Sequence, residues 1–115
     1  MWCDGLSLEE WENNHEDDGN IEYLHGICHE WVIENAMRHD KYVLITETRE
    51  NKICIMHCCI IRNGKYVDVR GETSSFDDII DAFDYGEFDV LVFDTIYDFV
   101  NNIENIIGKI PMWNT

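Results

Sequence analysis

Met56-His57-Cys58-Cys59-Ile60-Ile61-Arg62-Asn63-Gly64-Lys65-Tyr66-Val67-Asp68-Val69-Arg70 is the stretch that decides the fold. Two arms rich in β-branched and aromatic residues enclose Asn63-Gly64, the dipeptide best suited to the two positive φ values of a tight hairpin turn. A two-residue turn fixes the register. Arg62 is then set opposite Lys65, Cys59 opposite Asp68 and His57 opposite Arg70. Side chains alternate along a strand, so His57 and Cys59 share a sheet face while Cys58 points to the other. On the shared face His57 and Asp68 become diagonal neighbours within side-chain reach.

Working outward, Tyr42 to Thr48, Lys52 to Arg62 and Lys65 to Arg70 read as three strands of an antiparallel meander. Upstream, Ser7 and Glu10 form a capping box before a short helix whose Leu8 and Trp11 lie on one face. Residues 13–20 form a polar acidic loop. A second helix is expected from Ile27 to about His39. Its buried arc would carry Cys28, His29, Val32, Ile33, Ala36 and Met37, and Trp31 falls off that arc, with the Leu8/Trp11 helix as its candidate cover. Downstream, Thr73-Ser74-Ser75 caps a short acidic helix from Phe76 to about Phe83. Phe88 to Phe93 reads as a buried strand, and Asp94 or Thr95 caps a last helix carrying Ile96, Phe99, Val100, Ile103, Ile106 and Ile107, with Gly108 and Pro111 beyond it. The expectation is an α+β fold, with N-terminal helices packed on a small antiparallel sheet made of a three-strand meander plus a later strand, and a C-terminal helix. One domain would span residues 1–115, comprising an acidic N-terminal segment (1–20), a core (24–71) and an acidic helix-strand-helix extension (72–115).

Charge separates these parts. The 115 residues carry 24 Asp and Glu against 8 Lys and Arg, a formal charge of -16. Residues 1–37 and 71–107 each hold 10 acids and no Lys or Arg, whereas residues 38–70 hold 7 basic residues against 4 acids. A field of this sign repels phosphate backbones and anionic membrane surfaces, so direct nucleic-acid or membrane partners are not expected, and basic protein surfaces are. At 45% hydrophobic and 12% aromatic the chain has the apolar content for a core, unlike a disordered acidic tail. With no membrane-length apolar run and no secretory signal pattern, a cytoplasmic location is expected. Five cysteines (3, 28, 54, 58 and 59) lack the spacing of a disulfide framework and read as reduced thiols.

The constellation that carries chemistry is Cys28, His57 and Asp68. A cysteine in the first turn of a helix has backbone N–H groups and the positive helix end beside its sulfur, which favours a thiolate and offers donors to an oxyanion. His57 would serve as general base and Asp68 would hold its tautomer. Other readings stand beside this one. Cys28, Cys54, Cys58 and Cys59 fit a core equally well, His29 reads as a hydrogen-bonded core histidine, and Asp68 near Arg70 and Arg62 reads as a surface ion pair. A zinc set could draw on His25, Cys28, His29, His57 and Cys59, but no C-x-x-C pair supports it. Asn14, Glu16, Asp18 and Gly19 imitate the start of a calcium loop, whose last position would be His25 instead of the bidentate Glu. No metal or cofactor is expected.

Leu24-His25-Gly26-Ile27-Cys28-His29-Glu30-Trp31 and the segment from Met56 to Gly71 together resemble the minimal core of papain-like and transglutaminase-like thiol enzymes. In those families a G-x-C opens a helix, a His lies on the following strand, and an Asp, Asn or His on the next strand orients it. More narrowly, the chain is similar to small uncharacterised phage and bacterial proteins with an H-G-x-C-H segment, a strand His and a Y-x-D-x-R-G segment. The likeness covers residues 24–71 and implies Cys28 as nucleophile, His57 as base and Asp68 as orienter. The chain has no Gln, so the side-chain oxyanion donor of papain is missing, with Tyr23 or His25 as substitutes. The short interval between Cys28 and His57 leaves little room for a substrate-binding lobe.

The function expected is a thiol hydrolase or deamidase acting on an amide or isopeptide bond of a protein, phage-encoded on the narrower likeness. The alternative is an acidic, non-enzymatic nucleic-acid mimic of the anti-CRISPR or anti-restriction type that binds a basic host protein. Oligomeric state is not legible.

Overall fold

The computed structural model describes residues 1–83 and 86–107. The Asn63-Gly64 hairpin is its organising feature. Strand β2 (Lys52–Arg62) and strand β3 (Lys65–Asp68) pair Arg62 with Lys65, Ile61 with Tyr66 and Ile60 with Val67. Asn63 (φ 54°) and Gly64 (φ 77°) supply the two left-handed conformations that the turn needs. Glu50 and Asn51, also left-handed, connect β1 (Lys41–Arg49) to β2 in the same way.

The third strand ends at Asp68 and does not run on to Arg70. The chain turns at Val69-Arg70 and returns as β4 (Gly71–Thr73), pairing Asp68 with Gly71 and Tyr66 with Thr73. Gly71 is required there: its φ is 121°, and a Cβ would stand 2.9 Å from the Met1 carbonyl oxygen. With β5 (Asp89–Phe93) on the far side of β1, the sheet is antiparallel throughout, in the order β4-β3-β2-β1-β5. The strand expected to be buried is thus an edge strand, paired on one side only. Val90, Leu91 and Val92 are exposed because the two core clusters on the sheet centre on β1 and β2.

Helices cover both faces. Helix α3 (Cys28–Asn35) and helix α5 (Ile96–Ile107) bury Cys28, Val32, Phe99, Val100 and Ile103 against Tyr42, Leu44, Cys58 and Ile60. On the other face, Ile79 and Ile80 of α4 (Phe76–Ile80) meet Val43, Ile45, Met56 and Cys59. Cys58 and Cys59 therefore face opposite ways, as strand alternation requires. The alternation is broken once. Ile45 pairs with His57 but Thr46 pairs with Ile55, which leaves Met56 as the extra residue of a β-bulge next to His57. The bulge puts Met56 in the α4-side cluster and Ile55 on the α3/α5 side.

At one end, a 3-10 turn (Trp2–Gly5), α1 (Leu8–His15) and α2 (Glu22–His25) gather Cys3, Trp11 and Leu24 into a third cluster. The Ser7/Glu10 capping box opens α1, and the Thr95 hydroxyl accepts the Asp98 N–H at 3.2 Å to open α5. Helix α3 stops at Asn35, four residues short of His39, because Ala36 is extended and the Asp40 carboxylate draws the chain out. That carboxylate accepts the Met37 N–H at 2.8 Å and pairs with Arg62. Met37 is consequently exposed. Trp31 packs beside the α3/α5 cluster and not against Trp11. Gly108 and Pro111 lie outside the described residues. Among those described, no helix is long and apolar enough to cross a membrane.

Gly71→Ala is expected to lower stability by about 1–3 kcal/mol in urea denaturation, through steric clash and a disfavoured φ. Gly64→Ala, whose methyl would meet nothing within 4 Å, is expected to cost only the left-handed conformation, about 1 kcal/mol. Equal losses in the two variants would contradict the close approach at Gly71.

Candidate functional site

The first turn of α3 meets β2 beside the Met56 bulge, and there the three residues singled out from sequence come together. Cys28 is the first residue of α3 and is 5% exposed. Ile27 precedes it without a side-chain cap, and among the described residues the N–H groups of Cys28 and His29 have no partner. His57 is fully buried. Its Nε2 lies 2.9 Å from Oδ2 of Asp68, and its ring packs on Phe83 with centroids 4.8 Å apart. The same-face relation expected from the hairpin register is thus realised as a hydrogen bond. With Nε2 committed to Asp68, Nδ1 is the nitrogen left for Cys28. Among the described residues Nδ1 is the one buried side-chain polar atom without a closed hydrogen bond.

The electrostatics of the three groups are linked. The Cys58 thiol does most to hold Cys28 well below the usual cysteine range, by hydrogen bonding to its sulfur; burial opposes this, and His29 and His57 add to the lowering. Burial and the Cys28 charge push Cys58 well up in turn. Burial pulls the His57 imidazole down, but Asp68 and Cys28 outweigh it and raise it to about 9. The contacts of Cys28 thus favour its thiolate, the ionised form in which a cysteine is nucleophilic, and those of His57 favour its imidazolium. The other cysteines differ. Burial lifts Cys3 to about 11 and raises Cys59 further, so Cys58 and Cys59 serve the core as thiols.

Asp68 is buried and is no surface ion pair. Arg70 donates Nη2 to its Oδ2 at 2.8 Å, and the Arg70 backbone N–H donates to Oδ1 at 2.8 Å. Burial raises the Asp68 carboxyl, and His57 and Arg70 together bring it below its ordinary value. The Arg70 guanidinium is itself 2% exposed and held by the Ile79 carbonyl (2.9 Å), the Asp81 carboxylate (3.1 Å) and the Trp2 ring (4.4 Å to its centroid). Arg62 pairs with Asp40 instead.

Cys28 lines a pocket of about 200 Å³ together with His25, Gly26, His29, Ile55 and Met56. A neighbouring pocket of about 280 Å³ shares His25, Ile55 and Met56 and extends to Glu47, Arg49 and Phe83. Another of about 440 Å³ shares His25 and Gly26 and reaches Ile21 and Ile27. His25 lines all three pockets. His29, expected in the core, is half-buried and lines the pocket that holds Cys28. Tyr23 is excluded as an oxyanion donor because its hydroxyl is turned to Glu34, at 3.0 Å. His25 borders the Cys28 pocket, with Nε2 3.4 Å from Glu12.

In the acidic loop Asp18 accepts from the Asn20 N–H and pairs with His15, and among the described residues no three His, Cys, Asp or Glu side chains converge as a metal-ligand set. The sequence reading missed Arg70, Phe83 and Cys58 as members of the site. Arg70 had a usable signal, a cation two residues after the key acid, but it was hidden by reading the strand straight through Val69. Comparison with family models, with curated protein sequences and with solved structures finds no match.

In an NMR titration of the histidine rings, the His57 signal is expected to change with a midpoint at about 9. Cys28→Ala and Asp68→Asn each remove an anion that favours the imidazolium, so both are expected to move that midpoint to lower pH. The sign for stability follows. The raised His57 contributes stability below about 6.5 that is lost as pH rises through 9, while the lowered Cys28 contributes stability above about 9 that is lost on acidification. Between these ranges the falling His57 contribution and the rising Cys28 contribution oppose one another in slope, so stability there varies little with pH.

Proposed function

We propose that the chain is a cysteine-nucleophile enzyme that cleaves or deamidates an amide or isopeptide bond of a protein, with Cys28 as nucleophile, His57 as general acid–base and Asp68 as orienter. The observation that carries this reading is a helix-initial cysteine beside a buried imidazole whose near nitrogen is unpartnered among the described residues and whose far nitrogen is hydrogen-bonded to a buried carboxylate. The pocket of about 200 Å³ that Cys28 lines supports it by giving the sulfur a recess beside it, with two further pockets adjoining at His25.

In the proposed reaction the Cys28 thiolate adds to the carbonyl carbon, and the oxyanion forms near the free N–H groups of Cys28 and His29. His57 Nδ1–H gives its proton to the departing nitrogen as the C–N bond breaks, leaving a thioester. Neutral His57 then takes a proton from water, whose oxygen attacks the thioester and restores the thiolate. When the nitrogen is a side-chain amide the product is ammonia, and when it is a peptide or isopeptide amine the substrate is cut. Free thiols of this kind fit a reducing compartment such as the cytoplasm.

Brief iodoacetamide treatment of the native protein at neutral pH, read by peptide mass spectrometry, is expected to modify Cys28 ahead of Cys3, Cys58 and Cys59. His57→Gln is expected to slow that modification about 10–100-fold through loss of the imidazolium partner. A Cys28 that stays unmodified while Cys54 reacts would refute the proposal.

A further inference from the structure

Asp68 Oδ2 is shared: it accepts from His57 Nε2 at 2.9 Å and from Arg70 Nη2 at 2.8 Å. We propose that Arg70 is a positioning residue that aims the Asp68 carboxylate at His57 and takes up part of its charge, so that His57 stays able to release its proton to a leaving nitrogen. This inference rests on the thiol-enzyme reading above and adds to it a residue that touches neither nucleophile nor base.

The three groups stand in conflict. A buried carboxylate with a full charge beside an imidazole stabilises the imidazolium strongly, which orients the ring but also withholds the proton that the leaving amine needs. A cation on the same oxygen relieves that. The Nε and Nη2 groups of Arg70 span both carboxylate oxygens, a fork that lysine lacks, and so fix the plane of the carboxylate as well as its charge. The guanidinium is built in from behind. Cys3 N–H donates to the Arg70 carbonyl at 2.8 Å, Trp2 lies over the guanidinium face, and the left-handed Cys3, Asp4 and Gly5 hold that turn in place.

The titratable and charged groups around His57 come from several elements. Cys28 and His29 lie on α3, Cys58 and Cys59 on β2 itself, Asp68 at the end of β3 and Arg70 in the turn that follows. Behind Arg70 stand Asp81 and Cys3, and His25 of α2 lies across the Phe83 ring. Arg70 is the one permanent cation in this set. A unit charge about 6 Å away at an effective dielectric constant of about 20 shifts a neighbour by about two pH units, and Asp81 offsets part of that, leaving a net effect of about one unit.

The test is the His57 NMR titration in two variants, with Cys28 alkylation measured alongside. Arg70→Gln removes the charge but keeps a donor, and its His57 midpoint is expected to rise by about one pH unit, a tenfold change in proton affinity. Arg70→Lys keeps the charge and loses the fork. Its midpoint is expected to stay within about 0.3 units of wild type, while Cys28 alkylation slows about 3–10-fold as the carboxylate loses its fixed plane. A merely structural Arg70 would destabilise both variants without moving the titration of Arg70→Gln upward. An unchanged or lowered midpoint in Arg70→Gln overturns the proposal. If that variant does not fold, wild-type alkylation rates in Arg70→Lys overturn it. A wild-type protein lacking a reactive Cys28 instead refutes the thiol-enzyme reading itself, so the two failures are distinct.

Discussion

The constraint on which the rest depends is the burial of one carboxylate. Asp68 is 2% exposed and cannot remain ionised without partners, since a buried unpaired charge costs several kcal/mol. The chain supplies them on two sides, His57 from β2 and Arg70 from the turn into β4. Meeting that demand explains features with no other evident purpose: the strand that ends at Asp68, the glycine at 71 that lets Met1 approach, and the N-terminal turn stacked over Arg70. The same demand fixes the imidazole, which adds to the lowering of Cys28 that the Cys58 thiol leads. On the proposed reading, stability and chemistry would be two consequences of one pairing.

Much of this was legible in the chain. Asn63-Gly64 left one sensible hairpin register, and from it the approach of His57 to Asp68 followed without any tertiary information. Strand alternation sent Cys58 and Cys59 to opposite faces, and the capping box at Ser7 opened a helix. What stayed hidden were the events that break periodicity. The bulge at Met56 leaves no mark in residue types, because Ile55, Met56 and His57 suit either register. The end of β3 was obscured because Val69 and Arg70 continue an alternating pattern that the backbone abandons. Val90 to Val92 read as a core strand because hydrophobicity marks a strand's composition, not its place in the sheet.

The distribution of charge fits this account. The segment from Arg38 to Arg70 holds most of the cations, and two of them, Arg62 and Arg70, are spent on internal carboxylates, Asp40 and Asp68. The acids of α1 and α4 lie outside the cluster, on helices that close the fold around it. On the proposed reading, activation of Cys28 depends on contacts close at hand, the Cys58 thiol, His57 and the open helix start, against an overall field that disfavours a thiolate.

The central claim is that Cys28 is ionised by its contacts before any substrate arrives. Its most direct test is the ultraviolet absorbance of thiolate as a function of pH, taken as the difference between the wild-type protein and Cys28→Ser. The account requires a thiolate signal that appears well below the ordinary cysteine titration near 8.5. A difference spectrum that shows no thiolate until about pH 8 or above would mean that Cys28 is a buried core thiol, and the proposed chemistry would fall with it.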